Sequence, residues 1–227
     1  MKINLNWYYT GIRNAVLLIS FLPLYYLAFQ YFKNKLNPNP FEMLSHITGH
    51  SSIVILLLSL AITPFRRWLT FVCKKAALPW GKRLADWNVL VRLRRPIALL
   101  AFFYACIHLG VYLYLELGFD WEEFHYEMST RYFIGLGVVA FFIMAILAAT
   151  SFNAARKKMG RWWVRLHQAS YILIVLAIVH FWLSVKVTNN IPKLYAIIAA
   201  VLLLHRVVVY FYQPLHRKDD TGDEVYR

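Results

Sequence analysis

Residues 161–186 read Arg161-Trp-Trp-Val-Arg-Leu-His167-Gln-Ala-Ser-Tyr171-Ile-Leu-Ile-Val-Leu-Ala-Ile-Val-His180-Phe-Trp-Leu-Ser-Val-Lys186. An apolar run of this length is typical of a helix that crosses a membrane. Two histidines, His167 and His180, lie thirteen residues apart within it, and a third, His108, lies inside another apolar run. Ionisable side chains are costly in hydrocarbon and usually mark a functional site there. The three histidines are therefore the first candidate site residues.

The composition indicates a membrane protein. The chain has 227 residues, of which 60% are hydrophobic and only 16% are charged, whereas soluble domains carry about 25% charged residues. Its mean hydropathy is +0.48. We expect an all-α bundle of six transmembrane helices in a single domain over residues 1–227, with Pro64 ending the second span and Pro192 beginning the sixth. The predicted spans are approximately 13–32, 46–64, 97–116, 131–150, 166–185 and 193–212.

The net charge of +14 is explained by basic residues that are concentrated in the loops on one side of the predicted bundle. Most of the 25 lysines and arginines fall on one side of the predicted bundle, many of them in a connection over 66–95 that is expected to lie along the anionic inner leaflet. That side also collects Lys2, Arg13, Arg206, Arg217, Lys218 and Arg227. The opposite side holds Lys33, Lys35, Arg131, Lys186 and Lys193, together with Glu116, Asp120, Glu122, Glu123 and Glu127. The positive-inside rule then predicts that both termini are cytoplasmic. No nucleic-acid partner is expected, because no loop is long enough to fold a basic domain.

His108 and His180 are predicted to lie at similar depth on different helices. With a rise of 1.5 Å per residue, they lie roughly 17 Å and roughly 21 Å from the cytoplasmic ends of the third and fifth spans. Two imidazoles at matched depth can hold a haem iron between them. Ala101 and Ala105 share a helix face with His108, and Ala177 precedes His180, so small side chains would leave room for a flat macrocycle. The alternative is that each histidine is hydrogen-bonded to a neighbouring helix.

His167 is predicted about 20 Å below His180, a separation that suits a second, stacked haem. Thirteen steps of 100° leave an offset of about 220°, so an ideal helix would not present both rings on one face. A bend or a local change of winding would correct this, and a structural histidine at the interface is the competing interpretation. The iron partner of His167 is open. The matching position before His108 holds Arg94 or Arg95, and His205 lies at a suitable depth in the sixth span.

Two further histidines, His46 and His50, share a face at the start of the second span. Transition-metal binding is conceivable, but no third ligand is evident, so lining of a pocket or contact with an outer partner is favoured. The chain has no Gly-x-Gly-x-x-Gly motif and no P-loop. The pattern therefore favours electron transfer over bond-making chemistry.

Several stretches together resemble the MsrQ (YedZ) family, which are haem-binding membrane subunits of periplasmic methionine sulfoxide reductase systems within the ferric-reductase-like transmembrane group. The block from Arg161 to Tyr171, with His180 behind it, is the most specific of them. The others are His46-Ile-Thr-Gly49, Ile62-Thr-Pro64, Arg94-Arg95, His108, Leu115-Glu116-Leu-Gly118, Thr150-Ser151 and Trp182-Leu-Ser-Val-Lys186. Pro96 and Ala98 stand where the family usually has a glycine, and the 66–95 connection is longer than usual.

The resemblance implies that His108, His167 and His180 are haem ligands. It also implies a multi-pass bacterial inner membrane protein that binds b-type haem, one or two per chain, and FMN. Electrons would come from the quinol pool or a cytoplasmic flavin reductase and pass to a periplasmic molybdopterin-containing reductase that repairs methionine sulfoxide in envelope proteins. Candidate contacts for the FMN phosphate or haem propionates are Arg94, Arg95, Arg161 and Arg165. Positive-inside topology explains each of these arginines equally well.

Two alternatives remain at this point. The wider group suggests a stand-alone transmembrane reductase of ferric iron or another small outer substrate. A transporter or scaffold with a histidine proton relay is a third hypothesis, which the scarcity of carboxylates within the spans disfavours.

Overall fold

A computed structural model of the protein describes residues 5–33, 39–186 and 188–216. The predicted positions Lys2, Lys35, Arg217, Lys218 and Arg227 lie outside the described residues. The described chain is helical, with a short 3₁₀ turn at Leu84–Trp87 and a π-helical turn at Tyr112–Glu116. The α-helices are α1 (Leu5–Ser20), α2 (Leu22–Phe32), α3 (Pro40–Lys75), α4 (Asn88–Val111), α5 (Trp121–Thr130), α6 (Tyr132–Ala149), α7 (Asn153–Met159), α8 (Arg161–His167), α9 (Ala169–Ser184) and α10 (Ile191–His216).

Within the described residues, six helical segments are long and apolar enough to cross a membrane, so the predicted all-α, six-helix membrane fold is confirmed. Only 6% to 33% of the most apolar window in each segment is buried within the protein, which leaves most of that surface to face lipid. The segments are Tyr9–Phe32, Pro40–Lys75, Leu84–Glu116, Tyr132–Ala149, Arg161–Ser184 and Ile191–Phe211.

The second segment does not end at Pro64 as predicted, because α3 continues through it to Lys75. Proline has no N–H, so the carbonyl of Leu60, four residues earlier, loses its helical partner. The Arg206 side chain of α10 donates from Nη2 to this carbonyl at 3.3 Å. A proline is tolerated inside a membrane helix when a neighbouring helix satisfies the freed group in this way. A partner remote in sequence is therefore what allows α3 to continue.

The predicted 66–95 connection is also wrong in extent. Its first part belongs to α3 and its last part to α4, which leaves 76–87 as the link, including the 3₁₀ turn. Pro96 lies inside α4 and frees the carbonyl of Arg92, to which Tyr9 Oη donates at 3.5 Å. Both helices thus extend beyond the apolar runs that hydropathy detects.

The core lies between α3, α4, α6 and α9. α3 packs along α4, and α6 packs along α9. Tyr104 of α4 is fully buried, and its hydroxyl donates to the Ser20 carbonyl at 2.6 Å, where α1 ends. These contacts place the ends of α4 and α9 beside the start of α3, on the side of the bundle that carries Asp120, Glu122 and Glu123. We call this side the acidic side. The opposite side, which carries Arg66 and Arg95, is called the basic side.

The fifth segment is not one uniform helix. α8 ends at His167, and α9 begins at Ala169. Between them, the N–H of Gln168 is shared by the carbonyls of Val164 and Arg165, each at 3.2 Å. Such tightened turns change the angular step along a helix. The winding between His167 and His180 therefore departs from that of an ideal α-helix at Gln168.

Candidate functional site

His108 and His180 face each other near the acidic side of the bundle. His108 projects from the end of α4 and His180 from the end of α9, and their ring centroids are 6.3 Å apart with the ring planes at 82°. The similar depths predicted from sequence are thus realised as direct juxtaposition.

Each of these rings is held by a backbone carbonyl. His108 Nδ1 lies 3.1 Å from the carbonyl oxygen of Ser45, and His180 Nδ1 lies 2.7 Å from that of Phe133. Because a carbonyl oxygen only accepts, each Nδ1 must carry the hydrogen and donate it. Each Nε2 then keeps its lone pair, which is the state of a metal-ligating histidine with an oriented ring.

Two glycines make room for the rings. A Cβ added at Gly137 of α6 would lie 2.7 Å from Nδ1 and Cε1 of His180, and one at Gly49 of α3 would lie 3.1 Å from Cε1 of His108. A side chain at Gly137 would push the His180 ring away, so glycine is required there, whereas a Cβ at Gly49 would make a tight contact with the His108 ring. Sequence reasoning quoted Gly49 only as part of a resembling stretch and missed Gly137. The available signal was glycine inside an otherwise apolar helix.

The paired rings open onto a cavity of about 330 Å³ between α3, α4, α6 and α9. This volume is at the lower end of the range typical of small-molecule sites. Ala105 and Ala177 line it, as expected for small residues that leave space. Ala101, on the same helix face, is instead fully buried against α3, and its carbonyl accepts from Ser52 Oγ at 2.9 Å.

His46 and His50 line the same cavity. Their rings stack at 5.8 Å, His50 packs edge-on against Phe181 at 4.8 Å, and its Nδ1 is 3.4 Å from Tyr195 Oη. The structure therefore gives them the pocket-lining position that the sequence favoured. Among the described residues, no group of three or more His, Cys, Asp or Glu side chains is arranged to hold a metal ion.

A polar cluster that sequence reasoning missed closes the acidic side of the cavity. Glu127 of α5 is only 7% exposed. It accepts from Tyr112 Oη at 2.6 Å and pairs with Arg131 at 3.1 Å. Tyr112 begins the π-helical turn, a feature that often occurs at functional sites. Arg131 and Tyr112 both line the cavity, so it has a positive charge and a hydroxyl at this end.

His167 lies apart from this cavity, at the end of α8. Trp163 stacks on its ring at 4.0 Å, and its Nε2 lies 3.2 Å from Thr150 Oγ1 at the end of α6. The carbonyl of Thr150 in turn accepts from Trp163 Nε1 at 2.9 Å. This imidazole is therefore fixed by local packing on the basic side.

The four candidate arginines divide into two pairs. Arg94 and Arg95 of α4 lie close enough to act electrostatically on His167, and Arg95 Nη1 donates to Asn153 Oδ1 at 2.7 Å. Arg161 and Arg165 are exposed on α8, where Arg165 stacks over Trp162 at 4.8 Å. His205 lines a separate cavity, described below, and not the cavity of the histidine pair.

The fold and the histidine pair define a multi-pass, helical membrane protein in which two imidazoles from different helices oppose each other beside a cavity. In agreement, residues 48–178 match the family described as the ferric reductase like transmembrane component. This match runs from within α3 to Ile178 of α9, so it includes His108 and ends two residues before His180.

Curated relatives agree along most of the chain. The protein-methionine-sulfoxide reductase heme-binding subunit MsrQ of Herminiimonas arsenicoxydans is 35% identical over 201 residues, covering 87% of this chain and 85% of that protein. The subunit of the same name from Caulobacter vibrioides is 34% identical over 199 residues, with 87% of each chain covered. That of Bordetella pertussis is 38% identical over 178 residues, covering 78% of this chain and 79% of its own. This chain belongs to the MsrQ family within the ferric-reductase-like transmembrane group, and it is a multi-pass protein of the bacterial inner membrane.

Proposed function

We propose that the chain binds a b-type haem between His108 and His180 and carries electrons across the inner membrane to a periplasmic, molybdopterin-containing methionine sulfoxide reductase. The single observation that carries this proposal is the opposed pair of rings, each with Nδ1 held by a carbonyl and Nε2 free. The relatives' names, which describe heme-binding subunits of a protein-methionine-sulfoxide reductase, support it.

The residues present fit a haem. Metal–imidazole bonds of about 2.0–2.1 Å place the centroids of two trans imidazoles about 6 Å apart. The centroids of His108 and His180 are 6.3 Å apart. The cavity between them is lined largely by apolar side chains, and its polar residues lie mainly at the acidic end, where Arg131 is paired with Glu127.

A haem bound here would accept and release one electron at a time by iron redox change. The protein's part is to bind and orient. His108 and His180 would hold the iron through Nε2, and the carbonyls of Ser45 and Phe133 fix the plane of each ring and raise the basicity of Nε2. Gly49 and Gly137 keep the rings from being displaced.

We propose further that the acidic side is periplasmic and that both termini are cytoplasmic. The support is the charge asymmetry, with Asp120, Glu122 and Glu123 opposite the basic residues of the 76–87 link and α7–α8. In this orientation the histidine pair lies in the periplasmic half, where electrons are delivered to the partner.

The basic side would receive the electrons. His167 as a ligand of a second haem, FMN as a cofactor, and the quinol pool or a cytoplasmic flavin reductase as donor are proposals from family resemblance. For an FMN phosphate or a propionate, Arg94 and Arg95 are better placed than the exposed pair Arg161 and Arg165, because they lie beside His167.

The test is a reduced-minus-oxidised spectrum of the purified chain from haem-replete cells, with haem-to-protein ratios for His108→Ala, His180→Ala and the exposed control His125→Ala. We expect a b-type spectrum that the first two variants lose and the control keeps. A colourless wild-type protein would contradict the proposal. Methionine sulfoxide reduction should require the periplasmic partner; reduction of ferric iron at the same rate without it would favour the stand-alone reductase.

A further inference from the structure

A second cavity, of about 770 Å³, lies between α3, α9 and α10 on the basic side. None of the candidate ligands His108, His167 and His180 lines it. Its charged and aromatic polar lining comes from Arg67 of α3, Tyr171 of α9, and His205 and Arg206 of α10, and the uncharged Thr63 and Gln168 also line it.

Three buried nitrogens of this cavity have no hydrogen-bond partner within the described part of the chain. They are Arg67 Nε, His205 Nδ1 and Arg206 Nε. Buried polar groups in folded proteins are nearly always satisfied, so each unsatisfied one needs an explanation. Arg13 Nε, Arg66 Nε and Ser170 Oγ are also buried without a partner among the described residues, but they lie outside this cavity, whereas Arg67, His205 and Arg206 line one space.

The charges of this cavity are also of one sign. Arg67 and Arg94 act electrostatically on Arg206, and Arg67 and Arg206 act on His205. The ion pair found among residues 5–33, 39–186 and 188–216 joins Arg131 to Glu127, on the acidic side. Like charges repel more strongly away from bulk water, so an anion between these groups would lower the energy of the folded state.

The rest of the cavity wall is apolar and faces outward. Ile172 and Val175 of α9 are 59% and 48% exposed, and Val207 of α10 is 51% exposed, although all three lie within membrane-crossing segments. They are therefore lipid-facing. Tyr210 and Phe211 flank the basic end. The site thus joins cationic donors near the membrane surface to a lateral surface that accepts hydrocarbon.

We propose that this cavity binds the phosphate headgroup of an anionic phospholipid, with its acyl chains along Ile172, Val175 and Val207. Basic pockets between transmembrane helices on the positively charged side are suited to such headgroups. Arg67, His205 and Arg206 donate to the phosphate oxygens, and Arg and phosphate form strong charge-assisted hydrogen bonds. The bound lipid would tie α10 to α3 and α9.

The test uses the purified full chain in detergent, with native mass spectrometry and thermal unfolding in the presence of short-chain phosphatidylglycerol or phosphatidylcholine. Phosphatidylglycerol should be retained and should raise the unfolding temperature, and phosphatidylcholine should do neither. Loss of one cation should weaken binding about fivefold, as expected for one Lys or Arg contact with an anionic lipid. We therefore expect this loss in Arg67→Gln. His205→Leu removes one hydrogen-bonding ring nitrogen and not a full charge, so it should weaken binding less, by about threefold.

The matched control is Arg66→Gln, which removes the same charge from the adjacent position. Arg66 does not line the cavity, and its Nη1 donates to Asn88 Oδ1 at 3.1 Å. Its affinity for phosphatidylglycerol should stay within about twofold of the wild type, a change below that expected for one Lys or Arg contact. Circular dichroism and the elution volume in size-exclusion chromatography identify any variant that fails to fold. If Arg67→Gln fails to fold, His205→Leu becomes the deciding variant.

Three results would overturn the proposal. Equal affinity for the two lipids would remove the role of charge, and equal weakening in Arg66→Gln and Arg67→Gln would remove the role of this cavity. The third result concerns soluble ligands. If FMN or inorganic phosphate stabilises the wild type but not Arg67→Gln, and phosphatidylglycerol stabilises neither protein, the site binds a soluble phosphate. None of these results depends on haem binding at His108 and His180.

Discussion

The imidazoles of His108 and His180 lie with their ring centroids 6.3 Å apart, and neither ring is free to turn. Each is fixed by a carbonyl of a different helix, α3 for His108 and α6 for His180. Because backbone carbonyls hold the two rings in place, substitution of the Ser45 or Phe133 side chain alone would not change the ring orientation. The spacing of the pair depends instead on how closely the helices approach.

Gly137 tests that dependence. Gly137→Ala should lose most of the bound haem, because the new methyl carbon would lie 2.7 Å from the His180 ring. Gly135→Ala, two residues earlier, is the control, since its methyl carbon would meet Met128 at an ordinary 3.7 Å. The haem-to-protein ratio is the measurement. Similar ratios for the two variants would show that the close approach at Gly137 is not needed.

His167 should be separable from the histidine pair. Its ring contacts Trp163 and Thr150 and does not line the cavity of His108 and His180. His167→Ala should therefore keep the haem held by that pair, whereas His180→Ala should lose it. Pyridine haemochrome assays and low-temperature spectra of both variants provide the check. Complete haem loss in His167→Ala, with the protein folded, would contradict independent sites.

The buried Glu127 carboxylate at the acidic end of the cavity is stabilised by a hydrogen bond from Tyr112. Tyr112→Phe leaves Glu127 without its 2.6 Å hydrogen bond while it remains 7% exposed. An unsatisfied buried acceptor costs about 1–3 kcal/mol, so the unfolding temperature should fall. Tyr114→Phe, in the same π-helical turn but 66% exposed, should leave it unchanged. The idea fails if the two variants unfold at the same temperature.

Arg206 and Pro64 should be energetically coupled. Arg206→Met removes the donor to the Leu60 carbonyl and should destabilise the protein by about 1–3 kcal/mol. Pro64→Ala supplies the missing helical N–H, so the same Arg206 substitution should cost less in that background. Thermal unfolding of the wild type, both single variants and the double variant measures the coupling. The contact of Arg206 Nη1 with Tyr171 Oη, at 3.4 Å, is lost in both backgrounds and cancels. Equal costs in both backgrounds would show that Arg206 does not compensate for Pro64.

Six spans and the pairing of His108 with His180 could be predicted because both follow from local properties. Hydropathy over about 20 residues detects a span, and the rise per residue gives the depth of each histidine. The offset of His167 from His180 on an ideal helix was also computable. The tightened turn at Gln168 was not, because it is a detail of backbone hydrogen bonding.

By itself, the sequence determined the class of protein, the number of crossings and the depth of the candidate ligands, since these depend on apolar length and helical rise. Only the tertiary structure decided that α3 runs through Pro64, that Gly137 admits the His180 ring, and that Arg67, His205 and Arg206 share one cavity. Each of these features needs a partner from a helix distant in sequence. These features depend on atoms that only folding brings together: a donor for the carbonyl freed by proline, a glycine against a ring, and cationic side chains from two helices in one cavity.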